Sequence, residues 1–436
     1  MSLKIGIDGF NMAMLRGTGV ATYGVALTSA IGQLGHESIG VFGIDIGDDP
    51  DGHEMMFFDR FGQPPRRETR RQKRRRFIRS IWLPSRKATD VPLSPLVDKS
   101  GFAERLPAFD RIVSHADLFE IAETHFRLYG RFLPLRIDQP PDIMHWTYPV
   151  PIHLHGARNI YTLHDLVPMR LPYATLDVKP AYKQLIDQCV WRSAHICTVS
   201  ESSRNDIIAR YPDAAHKVTN TYQTAPVPDH ILAGNPAEDA AMIEGLFDLR
   251  HRGYFLFFGA LDPKKNIARI VEAYLTSGSA IPLVIVGARS WGTEQENALL
   301  GGGRVSVYGK SIDKGILQLD YLPRDLLLRL ARGAKAVLFP SLYEGFGLPA
   351  LEAIRLGTPV ISSNISSLPE VVGDAGILID PYDVRALANA IEMIDANSAV
   401  VARLVAAGQV QTEKFSDAAY RERLSALYDR VMSAPM

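Results

Sequence analysis

One stretch of the sequence decides the fold, Pro340-Ser341-Leu342-Tyr343-Glu344-Gly345-Phe346-Gly347-Leu348-Pro349-Ala350-Leu351-Glu352-Ala353. A strand-like run ends at Phe339 directly before it, two glycines permit a tight turn, and Pro349 lies where the first residue of a helix is expected. The free N–H groups and the dipole of that helix start favour an anion such as phosphate. The turn separates Glu344 from Glu352, so the two glutamates do not share one helical face. Taken alone, the pair also fits one solvated acid and one capping acid.

The same order of strand, loop and helix extends on both sides of this stretch. Further strand-like runs in the second half of the chain lie at residues 254–258, 282–286, 336–339, 359–362 and 376–379. The first half opens with a strand at 4–8, a loop holding Gly17, Thr18 and Gly19, a helix at 21–34 and a strand at 38–44. Strands that alternate with helices of about ten residues predict parallel sheets, so the fold class is α/β with two doubly wound domains.

Two segments interrupt this pattern. Residues 48–139 hold many Pro, Arg and Gly residues and only weak periodicity, which indicates an insertion in the first domain. Residues 223–229 contain two prolines and are predicted to be the hinge. Between these segments, strand-like runs resume, and polar or aromatic side chains lie at their ends. We hypothesise that three of these side chains face a cleft between the domains: His145, Trp146 and Ser200.

The composition excludes several classes of protein. The chain is 46% hydrophobic and 22% charged, which is typical of soluble proteins and excludes collagenous and globally disordered chains. Its 48 basic and 48 acidic residues cancel, which argues against a protein that coats nucleic acid. Two cysteines, Cys189 and Cys197, exclude a disulfide framework and suit a reducing cytosol. Because no targeting segment and no run of about 18 apolar residues is visible, we expect a cytoplasmic protein without a membrane span.

The stretch around the two glutamates resembles the signature of glycosyltransferase family 4, the retaining enzymes of the GT-B fold. The second domain of that family carries two glutamates with seven residues between them around a Glu-Gly-Phe-Gly-Leu-Pro turn. The resemblance continues through residues 357–361 and 366–371 and covers most of 254–395. It implies two facing Rossmann-like domains with a cleft between them. The predicted domains are an acceptor-side domain at 1–225, a nucleotide-sugar-binding domain at 226–415, and a C-terminal helix at 416–436 that packs back on the first domain.

The resemblance implies a role for each matching residue. Residues 258–266 resemble the phosphate loop of the family, in which Lys264 and Lys265 would offset the charge of a leaving nucleoside diphosphate. Glu344 would hold hydroxyl groups of the donor sugar, and Glu352 would hold the ribose. His164 and Asp165 lie in an element that faces the sugar in the family, so they are implied to be catalytic together with Glu344. The implied donor-binding residues are Gly19, Lys264, Lys265, Gly345, Phe346, Gly347, Leu348 and Glu352.

The chain also departs from the family pattern. Ala260 stands where many relatives have arginine, and Ala21 replaces a family glycine. Lysine is a point charge and not a bidentate fork, so we expect the donor phosphates to be held with a different geometry.

No metal or other cofactor is expected. Asp49-Pro50-Asp51 has the Asp-x-Asp spacing of metal-dependent transferases of another fold, but it lies in a proline- and glycine-bearing loop without a matching domain. The sequence also lacks a His, Cys and carboxylate cluster with metal-site spacing. The resemblance implies metal-independent chemistry, in which lysines and helix N-termini serve where magnesium serves elsewhere.

A basic arm lies within the segment 48–139 of the first domain. Residues 66–79 carry nine Lys or Arg residues against one acidic residue, and an aromatic and aliphatic cluster follows. Such a segment suits an anionic membrane surface or a lipid-linked acceptor, at about 1 kcal/mol for each basic residue near the surface. A solvated loop is the alternative, and no nucleic-acid module accompanies the arm. The residues predicted to contact the acceptor or membrane are Arg70, Arg71, Arg74, Arg75 and Trp82.

The resemblance predicts a retaining hexosyltransferase that acts on a nucleotide sugar. The Ser-Leu-Tyr-Glu-Gly-Phe-Gly-Leu-Pro form of the turn is similar to that of bacterial mannosyltransferases of polysaccharide assembly, which favours GDP-mannose over UDP-glucose. The expected acceptor is a glycan or a lipid-linked glycan at the inner face of the cell membrane, where the protein would bind peripherally. Two alternatives stay open: a nucleotide-sugar-binding protein without transfer activity, and a GT-B epimerase.

Overall fold

The computed structural model describes residues 2–14, 19–63, 78, 86–102, 105–287, 312–313, 315–320 and 322–435. The chain forms two compact units. Unit 1 comprises Met1–Met169, Asp177–Thr224 and Asp417–Met436, and unit 2 comprises Arg170–Leu176 and Ala225–Ser416. The chain thus changes unit within one residue of the predicted boundaries at 225 and 415. The short segment Arg170–Leu176 differs from the prediction, because it belongs to unit 2.

Unit 1 is built on a parallel sheet. Its strands, in chain order, are β1 (Lys4–Asp8), β2 (Glu37–Phe42), β3 (Arg86–Lys87), β4 (Thr89–Val91), β5 (Arg111–Ser114), β6 (Leu133–Arg136), β7 (Ile143–Trp146), β8 (Ile152–Leu154), β9 (Arg158–Thr162), β10 (His195–Thr198) and β11 (Val218–Asn220). Within the described residues, the main sheet has the order β11-β10-β9-β7-β1-β2-β5-β4, and β3, β6 and β8 form a small second sheet. Only the edge strand β4 pairs antiparallel in the main sheet, with β5. Strand order therefore reverses at β1, between β2 and β7.

Helices cover this sheet because its strands are apolar on both faces. The helices of unit 1 whose residues the structure describes are Gly19–Gln33, His53–Arg60, Leu118–Tyr129, Val167–Arg170 (whose last residue lies in unit 2), Lys179–Arg192, Glu201–Arg210 and Asp417–Ser433. The C-terminal helix packs on the helix Gly19–Gln33 and on the sheet, where the hydroxyl of Tyr428 lies 3.0 Å from Nδ1 of buried His145. Cys189 and Cys197 are buried free thiols. None of the helices in the described part of the chain is long and apolar enough to cross a bilayer.

The prediction that residues 48–139 are an insertion is wrong in part. Strands β4 and β5 lie in this segment and extend the main sheet, with β5 parallel to β2. β5 has only four residues, Arg111–Ser114, and its neighbours in sequence are polar. Such a short apolar run carries too little periodicity to be recognised as a sheet strand.

Unit 2 repeats the architecture. Its strands are β12 (Phe255–Phe258), β13 (Leu283–Val286), β14 (Ile312–Asp313), β15 (Ile316–Leu319), β16 (Ala336–Phe339), β17 (Val360–Ser363) and β18 (Gly376–Ile379), in the sheet order β14-β15-β13-β12-β16-β17-β18. Only β14 is antiparallel among these described strands. The helices are Asp229–Leu232, Pro236–Phe247, Ile267–Ser277, Arg324–Gly333, Leu348–Arg355, Leu368–Val372, Val384–Ala396 and Ser398–Glu413. Strand order reverses at β12, between β13 and β16, so the loops after β12 and β16 leave the sheet side by side.

Candidate active site

The loops after β12 and β16 are joined by hydrogen bonds. The loop after β12 forms a single turn at Pro263–Lys265 and ends at Asn266, which has a left-handed backbone (φ 64°). The Asn266 amide donates to the carbonyls of Pro340 (3.0 Å) and Pro381 (2.7 Å). The Leu342 N–H donates to the carbonyl of Lys264 at 2.7 Å. These bonds fix the lysine loop against the loop that carries the first glutamate.

A buried ion pair lies between the two loops. The ammonium of Lys265 is 2.6 Å from Oε1 of Glu344, and the two side chains are 11% and 9% exposed. The same ammonium lies 4.7 Å from the centre of the Phe339 ring. Burial would raise the pKa of Glu344, but Lys265 and Lys264 outweigh burial and hold its pKa below the ordinary value. Glu344 is therefore a carboxylate at neutral pH, and it can accept hydrogen bonds from hydroxyl groups.

The turn after Glu344 is shaped by serines and by one glycine. The Glu344 N–H donates to Oγ of Ser366 (3.1 Å), while Ser367 Oγ donates to the carbonyls of Glu344 (3.0 Å) and Phe346 (2.7 Å). Gly347 has a φ of 109°, and an added Cβ would lie 2.7 Å from a side-chain carbon of Leu368. The helix Leu348–Arg355 starts directly after this glycine. Pro349 has no N–H, and the Ala350 and Leu351 N–H groups donate to the Gly347 carbonyl, so the helix start can meet an anion through the Leu348 N–H and the helix dipole.

The predicted donor-binding residues of unit 2 are thus not equivalent. Gly345, Gly347 and Leu348 offer backbone groups at the turn. The side chain of Phe346 is 3% exposed and packs edge-on against Phe415 at 5.4 Å between ring centres. Phe346 can therefore serve a ligand only through its backbone.

Glu352 has a partner that the sequence did not indicate. Its carboxylate is 4% exposed and lies 2.7 Å from Nη2 of Arg324, which also donates to the Pro226 carbonyl at 3.1 Å. Arg324 begins the helix Arg324–Gly333, 28 residues before Glu352, and only the fold brings the two together. The guanidinium is half-buried and fixes the direction of the carboxylate.

Asp262 is a second residue of this region that the sequence did not single out. Burial raises its pKa above the ordinary value, against the opposing charges of Lys264 and Lys265. The signal was its position two residues before the lysine pair, in the loop that follows a buried strand.

In unit 1, the predicted residues follow neighbouring strands. Gly19 is the first residue of its helix, and Gly17 and Thr18 lie outside the described residues. Nε2 of His164 lies 2.8 Å from the Thr147 carbonyl, and burial holds the pKa of His164 below the ordinary value. The Asp165 carboxylate accepts a hydrogen bond from the Val167 N–H at 3.0 Å and so caps the helix Val167–Arg170.

The hypothesis that His145, Trp146 and Ser200 face a cleft is wrong, because all three residues are fully buried inside unit 1. His145 is bonded to Thr162 and Tyr428, and burial lowers its pKa to about 3. Trp146 donates to an asparagine carbonyl, and Ser200 caps the helix Glu201–Arg210. Each of the three residues lies at a strand end, where the sequence could not separate core contacts from site contacts.

The remaining predictions concern the basic arm and a possible metal site. Arg70, Arg71, Arg74, Arg75 and Trp82 all lie outside the described residues. Asp49 caps the turn Pro50–Gly52 by accepting the Asp51 N–H, which accounts for the Asp-x-Asp spacing. Within the described ranges, no group of three or more His, Cys, Asp or Glu side chains is arranged to hold a metal ion.

Comparison with known proteins finds a family match in the second half of the chain. The model described as glycosyl transferases group 1 matches residues 249–411. The O-antigen chain mannosyltransferase B of Escherichia coli is 34% identical over 235 residues, which are 53% of this chain and 59% of that protein. The serotype-specific mannosyltransferase WbdA of Escherichia coli is 27% identical over 278 residues, which are 62% of this chain and 33% of that protein. The chain thus spans about a third to three fifths of these relatives.

Solved structures match nearly the whole chain at low sequence identity. Sucrose-phosphate synthase from Thermosynechococcus elongatus has a TM-score of 0.63 at 17% identity and covers 99% of this chain and 100% of its own. WaaG, a glycosyltransferase involved in lipopolysaccharide biosynthesis, has a TM-score of 0.59 at 14% identity, with the same coverage of both chains. Such likenesses report the fold, and the fold class predicted from the sequence is confirmed.

Proposed function

Because the chain contains a glycosyl transferases group 1 domain and has the GT-B fold, we propose that it transfers mannose from GDP-mannose to a hydroxyl group. The acceptor is a glycan or a lipid-linked glycan in the synthesis of a surface polysaccharide. The observation that carries the proposal is the buried Lys265–Glu344 pair beside the start of the helix Leu348–Arg355. The similarity to mannosyltransferases favours mannose as the transferred sugar, with glucose from UDP-glucose as the second candidate.

In the proposed reaction, unit 2 stabilises the departing nucleotide. Lys264, Lys265 and the backbone N–H groups near Gly347 and Leu348 bind the diphosphate, whose negative charge grows as the bond to the sugar breaks. A well-aimed donor of this kind lowers the barrier by about 3 kcal/mol. These groups act without a metal ion in the proposal, because ammonium groups and a helix start supply the positive charge.

The carboxylates orient the donor. Glu344 is ionised and accepts hydrogen bonds from hydroxyl groups of the mannose, while Glu352 holds the ribose hydroxyls. The acceptor oxygen attacks the anomeric carbon on the face from which the diphosphate leaves. The bond from carbon to the phosphate oxygen breaks, the bond to the acceptor oxygen forms, and the acceptor proton passes to the leaving phosphate. The anomeric configuration is therefore retained.

Binding and turnover tests separate the candidate functions. Calorimetric titration with GDP, GDP-mannose, UDP-glucose and ADP-glucose identifies the nucleotide, and tightest binding of GDP and GDP-mannose is expected. Incubation of GDP-mannose with a mannose-terminated oligosaccharide should then yield a longer glycan with an α-linkage by NMR, with and without EDTA. Binding without product would indicate a binding protein, and a changed sugar on the nucleotide would indicate an epimerase.

A matched pair of variants tests the role of the first glutamate. E344Q should lose transfer by about 100-fold or more, because the amide cannot serve as a charged acceptor. E392Q is the control, since Glu392 is an exposed acid on the helix Val384–Ala396 of the same unit. Undiminished turnover in E344Q would contradict the assignment.

We also propose that the basic arm at residues 66–79 holds the protein at an anionic inner membrane surface. The test uses two variants. In one, residues 66–79 are replaced by a Gly/Ser linker of equal length, and in the other, the arginines within residues 66–79 are changed to glutamine. Both variants should lose binding to vesicles of anionic lipid and lose activity on a lipid-linked acceptor, while they keep activity on a soluble oligosaccharide. Unchanged vesicle binding would contradict the proposal.

A further inference from the structure

Three neighbouring strands of unit 1 place three polar residues in one row. Asp8 ends β1, Thr147 follows β7, and His164 follows β9, and these strands are adjacent in the order β9-β7-β1. The Thr147 N–H donates to the Asp8 carboxylate, and the Thr147 carbonyl lies 2.8 Å from Nε2 of His164. One peptide segment thus connects the carboxylate to the imidazole.

The carboxylate end of this row is closed to solvent. Asp8 and Thr147 are each 1% exposed. Burial raises the pKa of Asp8 to about 6, against hydrogen bonds from the backbone and hydroxyl groups of Thr147 and from the backbone of Phe10. Keeping a buried acid costs stability, and its hydrogen bond from the Thr147 N–H holds the Thr147 segment in place.

The imidazole end of the row has one defined protonation pattern. A carbonyl only accepts, so the nitrogen that contacts Thr147 must carry a hydrogen. Because burial holds the pKa of His164 below its ordinary value, the ring is neutral at pH 7, and the other nitrogen, Nδ1, is an acceptor. The ring is also held in place: Ser203 Oγ donates to the His164 carbonyl at 2.6 Å, and Tyr23 packs edge-on at 5.0 Å.

We propose that Asp8 is a positioning residue which, through Thr147, holds His164 in the Nε2–H tautomer with Nδ1 presented as an acceptor for a carbohydrate hydroxyl group. The tautomer is a property of the free protein. The carbohydrate rests on the proposed function. Asp8 itself touches no substrate in this arrangement, and its effect on the reaction passes through the orientation of His164.

The change D8N is nearly isosteric but removes the carboxylate. An amide presents one accepting oxygen and one donating nitrogen, so it reproduces neither the charge nor the second acceptor oxygen of Asp8. The Thr147 segment should therefore shift, and its carbonyl should no longer hold a single tautomer of His164.

The chain offers a matched control in the same unit. Oδ2 of Asp110 accepts a hydrogen bond from the Ser38 N–H at 2.7 Å, as Asp8 accepts from Thr147. Asp110 directly precedes β5, whereas His164 follows β9, so the two residues lie at opposite ends of the parallel strands. D110N makes the same change from carboxylate to amide, at an exposed position, without touching the row.

The experiment is a ¹⁵N NMR measurement on protein labelled at its 12 histidines, with His164 assigned by the signal lost in H164Q. The wild-type protein and D110N should show His164 with a protonated Nε2 and an unprotonated Nδ1. D8N should show a mixture of tautomers. In the transfer assay, kcat of D8N should fall about 10-fold to 100-fold, while KM for the nucleotide sugar changes little.

The outcomes separate this inference from the proposed function. A protonated Nδ1 in the wild-type protein would overturn the inference even where D8N does not fold. So would a D8N spectrum in which the tautomer of His164 is unchanged. If the wild-type protein transfers no mannose, the proposed function fails, and the tautomer measurements alone decide whether Asp8 positions His164.

Discussion

The Lys265–Glu344 pair gives the sharpest test of how this protein works, because the pair should matter differently to stability and to activity. The two charges are 2.6 Å apart, and each side chain is about nine-tenths buried. We compare the single variants E344L and K265M with the double variant K265M/E344L. In each variant, every charged side chain that is removed is replaced by an apolar side chain of similar volume.

Each single variant leaves one buried charge without its partner. Breaking a buried ion pair in this way destabilises a protein by about 3 to 5 kcal/mol. In E344L the ammonium keeps its contact with the Phe339 ring, which offsets about 1 kcal/mol, so we expect a loss of about 3 kcal/mol. In K265M the carboxylate keeps the charge of Lys264 nearby, and we expect a similar loss.

The double variant removes both charges together. Replacing a buried pair by apolar residues is often neutral for stability, so we expect the double variant to lie within about 1 kcal/mol of the wild-type protein. Its transfer activity should nevertheless fall by about 100-fold or more, because the charges that bind the donor are gone. Stability would be restored while activity is not.

Urea denaturation followed by circular dichroism measures the stabilities, and mannose transfer from GDP-mannose measures the activities. The control is the Lys335–Asp395 pair of the same unit, which is about a quarter exposed, and whose removal should change stability by about 1 kcal/mol or less. Two results would refute the reasoning. Losses that add in the double variant would show that the charges are not coupled, and a double variant that retains transfer would show that they do not bind the donor.

The same pair predicts a pH dependence with a definite sign. The pKa of Glu344 in the folded protein lies below 4.5, its ordinary value. The pair therefore contributes its full stability above pH 4.5, and this contribution is lost as the pH falls through the folded pKa. The difference in stability between E344L and the wild-type protein should shrink on acidification below pH 4.5.

Three further predictions follow from single positions. G347A should cost about 2 kcal/mol more than G357A by urea denaturation, because both glycines have positive φ but only at Gly347 would the Cβ meet a side chain within 4 Å. R324M should raise KM for GDP-mannose several-fold and leave kcat unchanged, since Glu352 loses the guanidinium that orients it. An unchanged KM would contradict a role of Glu352 in binding the donor. Asp8 has a pKa of about 6 in the folded protein and an ordinary value of 3.8, so the folded state binds the additional proton. As the pH rises from 4 to 6, the wild-type protein should therefore lose up to about 3 kcal/mol of stability, whereas D8N should not show this decrease.

Much of the fold could be predicted because parallel strands buried on both faces are nearly continuous apolar runs. Phe255–Phe258 and Ala336–Phe339 are buried along their whole length, and each was evident from its residues alone. The turn at Gly347 and the helix behind it were equally readable, because glycine tolerates positive φ and proline favours the first turn of a helix. Local chemistry decides these features.

The rest depends on pairings between distant parts of the chain. Arg324 meets Glu352 across 28 residues, and Asp8 meets Thr147 across 139 residues. Neither pairing follows from periodicity, because each is set by the order of strands in a sheet. The same limitation led to the wrong hypothesis for His145. A polar residue at a strand end has the same local pattern whether its partner is a core hydroxyl or a ligand.

The two units place their polar groups by the same rule but choose different chemistry. In each unit, these groups lie on loops and helices that follow the carboxyl ends of parallel strands. Unit 2 supplies charges held as pairs, with Lys265 on Glu344 and Arg324 on Glu352. Unit 1 supplies a neutral imidazole, His164, fixed by its backbone neighbours. A nucleoside diphosphate needs fixed positive charge, whereas a sugar hydroxyl needs an acceptor, which is charged in Glu344 and neutral in His164. Each unit thus folds to supply its own set of polar groups.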